Sequence, residues 1–209
     1  MPNWCSTIID FIGDRSDIED LYNKIELYTS KRYQETYFGN NWLGNILYGF
    51  GLGDNIDELE NLQCRGIITG KDNIEYGGSL CRLRIWTETA EVPMIKMWNV
   101  IIEKYYGGRI SVHWIAEELA SGLYETNDYD RYSFDTYKVD LNLGDDCCGD
   151  YWDTVEEAVG YINDNLKWAG INKVITADEI TDDGLYIEFD NGYYISVNIL
   201  KEVSDDEVD

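Results

Sequence analysis

Apolar residues recur along this chain with two different periods, and together the two periods predict an α+β fold. Four segments repeat apolar residues every three to four positions, as amphipathic helices do, and they begin near Ser16, Asn41, Pro93 and Thr154. Short runs rich in β-branched and aromatic residues lie between them and are typical of strands. The first of these runs is NWCSTIIDFIG, residues 3–13.

The helical segments also carry signals for their ends. Ser16 with Glu19, and Thr154 with Glu157, have the spacing of a capping box. Gly170 stands where a glycine commonly ends a helix. The predicted buried stripes are Ile18, Leu21, Tyr22, Ile25 and Tyr28; Met94, Met97, Trp98, Ile101, Ile102 and Tyr105; and Val155, Ala158, Val159, Ile162 and Leu166.

Two strand pairs complete the first part of the chain. CRGIITG and LCRLRIW, residues 64–70 and 80–86, are joined by an Asn- and Gly-containing segment that suits a hairpin. RISVHWIAEE and GLYETND, residues 109–118 and 122–128, follow as a second pair. Helices on one face of an antiparallel or mixed sheet form a ferredoxin-like arrangement. We therefore predict a ferredoxin-like domain over residues 1–137.

Residues 138–203 are predicted to form a second, small α+β unit with the order β-α-β-β-β. Its first strand is YKVDLNL, which is followed by an acidic loop, GDDCCGD, and by the helix near Thr154. INKVITADEI, LYIEFD and YYISVNIL are the other three predicted strands, and Asn191-Gly192 marks a hairpin between the last two. Residues 204–209 are expected to be a frayed tail.

Charge narrows the possible functions. The chain has 41 Asp and Glu against 16 Lys and Arg, a formal net charge of −25. An ordinary nucleic-acid binder needs clusters of Lys and Arg, so this class is disfavoured. Because 44% of the residues are hydrophobic, the charge does not indicate disorder either. Residues 141–209 hold 18 acidic residues and three lysines, net −15, whereas residues 1–140 have net −10.

The sequence predicts a cytoplasmic protein with reduced cysteines. No run approaches the roughly 18 apolar residues of a membrane-spanning helix, and the N-terminus MPNWC lacks the basic start of a signal peptide. The five cysteines are too few and too scattered for a disulfide framework.

Catalytic and metal-binding patterns are weak. His113 is the single histidine, and no nucleophile motif accompanies it. The adjacent Cys147 and Cys148 lie among aspartates, which raise a thiol pKa, and no second ligand pair completes a zinc site. We therefore predict no cofactor and no metal, and the residues favour a binding protein over an enzyme.

Several short motifs in residues 1–140 together resemble a known family. They are the MPNWC start, NWLGN at residues 41–45, CRG at 64–66, TETAEVPMIKMW at 87–98, and AEE followed by GLYETND. These motifs resemble a family of small, mostly uncharacterised proteins of phages and other mobile elements with a predicted ferredoxin-like domain. Glu91 stands where members usually have tryptophan. The resemblance implies a mobile-element origin and a ferredoxin-like core, and it implies no reaction.

These observations lead to a first functional hypothesis: a non-enzymatic inhibitor that occupies a basic, nucleic-acid-binding groove of a host defence protein, for example a CRISPR effector. Carboxylates would replace phosphates, and tyrosines would fill pockets meant for bases. The predicted partner-binding residues are Asp145, Asp146, Asp150, Asp153, Glu156, Glu157, Asp182, Asp183, Glu188, Asp190, Tyr129 and Tyr132.

Other interpretations remain open. Arg65, Arg82 and Arg84 are candidate phosphate ligands of a small enzyme or sponge acting on a nucleotide signal. The acidic surface would also be explained by solubility alone. A self-associating structural role is a third alternative. The sequence identifies neither the target nor the oligomeric state.

Overall fold

Two antiparallel sheets form the framework of this α+β protein. The computed structural model describes residues 3–30, 39, 41–52, 65–118, 121–130, 132–144 and 147–204. The chain divides into two compact units, residues 1–127 with 203–209, and residues 128–202.

Within the described residues, the first unit has one sheet and three helices. Its strands lie in the order β6-β5-β1-β4-β2, and β3 also pairs with β4; all these pairs are antiparallel. The strand bounds are β1 Trp4–Asp14, β2 Gly66–Lys71, β3 Glu75–Gly77, β4 Leu80–Ala90, β5 Ser111–Glu118 and β6 Leu123–Thr126. The helices are α1 Arg15–Thr29, α2 Leu43–Gly49 and α3 Ile95–Tyr106.

The core of the first unit lies between these helices and one face of the sheet. Alternate residues of β1, such as Ile9 and Phe11, are fully buried together with the apolar stripes of the helices. The Phe11 ring contacts the Trp98 ring of α3 edge-on, with centroids 5.0 Å apart. Val203 belongs to this core, and its amide donates to the Thr126 carbonyl.

In the part of the second unit that the structure describes, one helix packs on a four-stranded sheet with the order β8-β7-β10-β9. Its elements are β7 Tyr137–Asn142, β8 Cys147–Trp152, α4 Val155–Trp168, a 3-10 turn Ala177–Glu179, β9 Leu185–Glu188, β10 Tyr194–Ile199 and the short β11 Lys201–Glu202. Ala158, Ile162 and Leu166 of α4 are buried in one core with alternate residues of β7 and β10.

Several sequence predictions are confirmed. The stripe of α1 is buried at Ile18, Leu21, Ile25 and Tyr28. The Thr154–Glu157 capping box is present at the start of α4. The hairpin strands are β2 and β4, and the later strand pair is β5 with β6.

Other predictions are wrong in part. Asp14, not Ser16, is the N-cap of α1, and it makes no side-chain cap hydrogen bond. The stripe of α3 ends on buried Tyr106, whereas Tyr105 is exposed. The predicted loop 144–150 contains strand β8, and residues 171–180 hold the 3-10 turn without any strand. Along the chain, the second sheet is therefore formed by two strands before the helix, β7 and β8, and two strands after it, β9 and β10.

None of the helices within the described ranges is long and apolar enough to cross a membrane. In the same ranges Cys5, Cys81 and Cys148 are free thiols, and the first two are buried.

Candidate functional site

A buried ion pair lies on the face of the first sheet that points away from the helices. Asp10 of β1 is opposite Arg84 of β4 and His113 of β5 in the strand register. The Asp10 side chain is 0% exposed, and its two oxygens accept hydrogen bonds from Nε and Nη2 of Arg84, both at 2.7 Å. These bonds raise the pKa of the Arg84 guanidinium above its ordinary value. The pair is a bidentate, charge-assisted contact that fixes the orientation of both side chains.

Arg82 extends this cluster toward the edge of the sheet. Its Nε and Nη2 donate to Glu75 of β3, and its Nη1 lies 3.7 Å from the Asp10 carboxylate. A pocket of about 350 Å³ beside the cluster is lined by Asp72, Asn73, Ile74, Glu75, Arg82 and Arg84. The carboxylates already bind the guanidinium groups that would hold a phosphate here.

Arg65 does not join the other two arginines. Its carbonyl accepts the amide of Ala90, at the opposite end of β4 from Arg82. At about 3.3 Å per strand residue, this places Arg65 more than roughly 20 Å along the strand from Arg82. The structure thus brings together two of the three predicted phosphate ligands.

In the second unit, the predicted acidic residues gather at two ends of the sheet. Asp153, Glu156 and Glu157 surround the start of α4, and Asp182 with Asp183 occupies the turn before β9. The strand register puts all these residues at the same end of the second sheet, where Trp152 pairs with Tyr137. The predicted residues Asp145 and Asp146 lie outside the described residues.

Glu188 and Asp190 lie at the other end of the same sheet, where Glu188 pairs with Tyr194. A strand of six residues spans about 20 Å, so this length separates the two acidic groups. Asp150 lies between the two ends, in the edge strand β8. The candidate carboxylates therefore frame the sheet and do not form a single row.

The two units differ in how their carboxylates are neutralised. In the first unit, exposed and buried acids pair with basic side chains; they are Asp10, Asp17, Glu19, Asp20, Glu26 and Glu75. In the second unit, seven of the predicted acids are exposed and form no salt bridge with any basic residue in the described ranges; they are Asp150, Glu156, Glu157, Asp182, Asp183, Glu188 and Asp190. The negative charge of this unit is thus directed to solvent.

Tyr129 and Tyr132 occupy a loop that a buried carboxylate organises. Asp128 accepts hydrogen bonds from the backbone amides of Tyr132, Ser133 and Phe134, at 3.0, 2.6 and 2.9 Å. Phe134 turns into the protein, whereas the side chains of Tyr129 and Tyr132 are 52% and 64% exposed. The loop presents both predicted aromatic contacts on a defined backbone.

The sequence prediction missed a second set of residues, on the face of the second sheet opposite α4. Tyr186, Ser196, Asp140 and Gly149 are paired in one row across β9, β10, β7 and β8. Alternation in YKVDLN and YISVNI, where polar residues alternate with apolar ones, was a signal for this face.

Metal ligands and thiols were the remaining candidates for chemistry in the described ranges. No three His, Cys, Asp or Glu side chains there are grouped so that they could hold a metal ion. Burial raises the pKa of the Cys5 thiol to about 11, so it remains protonated near neutral pH and is a poor nucleophile. Cys5 therefore acts as a core residue.

Comparison with protein-family models, curated proteins and solved structures gives no match for this chain. The family resemblance of residues 1–140 remains a prediction.

Proposed function

We propose that this chain is a non-enzymatic binding protein whose second unit docks on a basic, nucleic-acid-binding surface of a partner protein and blocks that surface as a nucleic-acid mimic. The observation that carries the proposal is the contrast in neutralisation between the two units. Six carboxylates of the first unit pair with Arg or Lys, whereas seven exposed carboxylates among those predicted in the second unit have no salt-bridge partner in the described ranges.

Unneutralised charge on one unit carries a cost and an advantage. Like charges repel one another within the folded unit, and this repulsion opposes compactness. The same field steers basic surfaces toward the unit and repels competing nucleic acid. A partner that supplies Lys and Arg relieves this repulsion, and the relief makes the free energy of binding more favourable.

We also propose that the first unit is a ferredoxin-like domain that serves as a scaffold. In its sheet β5, β1, β4 and β2 are neighbours, which gives the order 4-1-3-2 when these strands are counted along the chain. Helix α1 lies between β1 and β2 in the chain, and α3 lies between β4 and β5. This βαββαβ order supports the ferredoxin-like assignment. The resemblance to mobile-element proteins implies a mobile-element origin, and on this basis we propose that the partner is a cytoplasmic host defence protein, for example a CRISPR effector.

A competition pull-down tests the proposed function. The full chain is immobilised and exposed to a bacterial lysate at low salt, and bound proteins are then eluted with single-stranded DNA. We expect basic, nucleic-acid-binding proteins to be retained and then released by the oligonucleotide. Neutralising Asp182, Asp183 and Glu188 as Asn or Gln should weaken retention on the order of tenfold.

A matched control separates local charge from total charge. Asp14→Asn, Asp72→Asn and Glu103→Gln remove exposed charges from the first unit, where we expect little effect on retention. Retention of no basic protein at low salt would overturn the proposal. Equal losses in the two sets of variants would overturn it as well, because they would reflect total charge alone.

A further inference from the structure

The face of the second sheet opposite α4 carries aromatic and acidic side chains side by side. Helix α4 packs on the other face, with Val139, Leu141, Ile195 and Val197. Side chains alternate along a strand, so the residues between these apolar ones point to the opposite face. That face, which we call the tyrosine face, holds Lys138, Asp140, Asn142, Gly149, Tyr151, Tyr186, Glu188, Tyr194, Ser196 and Asn198.

Two tyrosines on neighbouring strands stack on the tyrosine face, one exposed and one half-buried. The rings of Tyr186 and Tyr194 are nearly parallel, 25° apart, with centroids separated by 6.1 Å. Tyr186 is 64% exposed, and Glu188 lies directly across the strand pair from Tyr194. The aromatic rings provide a flat surface for a planar cation, and the neighbouring carboxylate accepts its hydrogen bonds.

A cation–π contact within the protein already occupies the other side of this face. The Lys138 ammonium lies 4.2 Å from the centroid of the Tyr151 ring. Gly149 makes room for this arrangement, because a Cβ at this position would approach the Asp140 Oδ1 to 2.5 Å and the Lys138 Nζ to 3.4 Å. Lys138 covers the Tyr151 ring, whereas the Tyr186 ring points largely into solvent.

We infer that the tyrosine face is a docking site for arginine side chains of a basic partner segment, with Tyr186 and Tyr194 as the stacking surface and Glu188 as the carboxylate partner. This inference rests on the proposed function and specifies its contact chemistry. Guanidinium is planar, stacks on aromatic rings and binds carboxylates bidentately, whereas a lysine ammonium is a strongly hydrated point charge. The site therefore selects arginine over lysine at equal charge.

Charge complementarity decides between arginine and a nucleic-acid base as the occupant. Bases also stack on exposed tyrosines, but a nucleic acid brings its phosphates with it. Glu188 lies on this face, and Asp182, Asp183 and Asp190 flank β9. These carboxylates attract a guanidinium and repel a phosphate backbone.

Binding of two homopolymeric peptides to the full chain tests the inference. Nona-arginine and nona-lysine carry equal charge, and isothermal titration calorimetry at low salt measures both affinities. We expect nona-arginine to bind about two- to fivefold more tightly, the increment of an exposed cation–π contact. Tyr186→Thr, which keeps a β-branched residue in the strand, should abolish this preference and change nona-lysine binding little.

Two control variants should both keep the preference for nona-arginine. Tyr186→Phe keeps the ring, and Trp168→Ala removes an exposed aromatic residue that belongs to the same unit but lies on α4. Equal affinities of the wild type for the two peptides, or a preference that survives Tyr186→Thr, would overturn the inference. If neither peptide binds, or if binding ignores neutralisation of the second-unit carboxylates, the proposed function fails instead. Binding of oligo-dT that depends on Tyr186 would overturn both.

Discussion

At the residue scale, Asp10 of β1 is a fully buried carboxylate whose charge Arg84 balances. Burying two charges costs desolvation free energy, and the pair recovers it only while both partners are present. Arg84→Met should therefore destabilise the first unit by about 3 to 5 kcal/mol. The buried Asp10 charge would keep Arg82 as its partner, and at 3.7 Å this contact is weaker than the lost bidentate pair. Denaturant unfolding followed by circular dichroism measures this loss.

The double variant Asp10→Leu, Arg84→Met removes both charges and should recover much of that stability. Arg15→Met provides the matched control, because Arg15 and Glu19 form an exposed pair on α1 that solvent screens, so its loss should cost much less stability. If Arg84→Met unfolds at the same denaturant concentration as Arg15→Met, the buried pair does not hold the first sheet together.

Asp140 on the tyrosine face gives a pH-dependent prediction. Burial raises the pKa of Asp140, Lys138 partly opposes this, and Oδ2 is a buried oxygen without a hydrogen-bond partner. With a folded-state pKa above the unfolded one, the protonated carboxyl stabilises the fold below the unfolded pKa. This stabilisation is lost as the pH rises through the folded pKa.

Asp140→Asn should therefore raise the melting temperature at pH 7, and the gain should shrink as the pH falls toward the ordinary aspartate pKa of 3.8. Differential scanning fluorimetry across this pH range measures both effects. Asp182→Asn makes the same charge change in an exposed turn, where Asn and Asp are equally suited, so it should show a smaller gain at pH 7. A gain for Asp140→Asn that persists unchanged at acid pH would exclude desolvation as its cause.

At the element scale, two glycines with the same backbone conformation face different surroundings. Gly184 and Gly192 have φ values of +82° and +81°, in the left-handed region. A Cβ at Gly184 would lie 2.1 Å from the Val197 carbonyl oxygen, whereas at Gly192 no heavy atom lies within 4 Å. Gly192→Ala should cost about 1 to 2 kcal/mol of unfolding free energy from backbone strain alone.

Gly184→Ala should cost more than Gly192→Ala, because the new methyl group must also displace the backbone of β10. Urea unfolding of both variants by far-UV circular dichroism measures the difference. Equal losses would show that β9 and β10 move apart at no cost near Gly184.

At the scale of elements, the sequence predicted helices and strands correctly where apolar periodicity and capping residues indicated the same element. It failed where local propensity and long-range strand pairing favoured different structures. The stripe of α4 and its Thr154 capping box indicated the same helix, and both are confirmed. Cys147 to Trp152 forms β8 because pairing with β7 supplies its hydrogen bonds, although its residues suggest a loop. Such long-range pairing overrides local propensity, and the pairing partner is not visible in the segment itself.

At the scale of the whole molecule, the sequence contained the charges but not their pairing. The excess of acidic residues in residues 141–209 is visible in the sequence itself. Arg84 and Asp10 are 74 positions apart in the chain, and only the register of β1 with β4 makes them partners. The contrast in salt-bridge pairing between the two units therefore required the fold, as did the register of β9 with β10, which places Tyr186 near Tyr194.

This contrast predicts that salt stabilises the two units unequally. Raising NaCl from about 0.01 M to about 0.15 M shortens the Debye length from about 30 Å to about 8 Å, which screens repulsion among exposed carboxylates. The second unit, with seven exposed acids lacking salt bridges in the described ranges, should gain stability. In the first unit, salt also weakens exposed pairs such as Arg15–Glu19 and Lys24–Asp20, so its gain should be smaller.

Hydrogen–deuterium exchange read by peptide mass spectrometry resolves the two responses in one experiment. Peptides from α4 and β10 should exchange more slowly at the higher salt concentration, and those from α1 should change less. The variant Glu188→Gln, Asp190→Asn lowers the repulsion at its source, so its second unit should respond less to salt than the wild type does. Equal responses of α1 and α4 would mean that the net charge acts on the molecule as a whole, and the division of charge between the units would then have no consequence for stability.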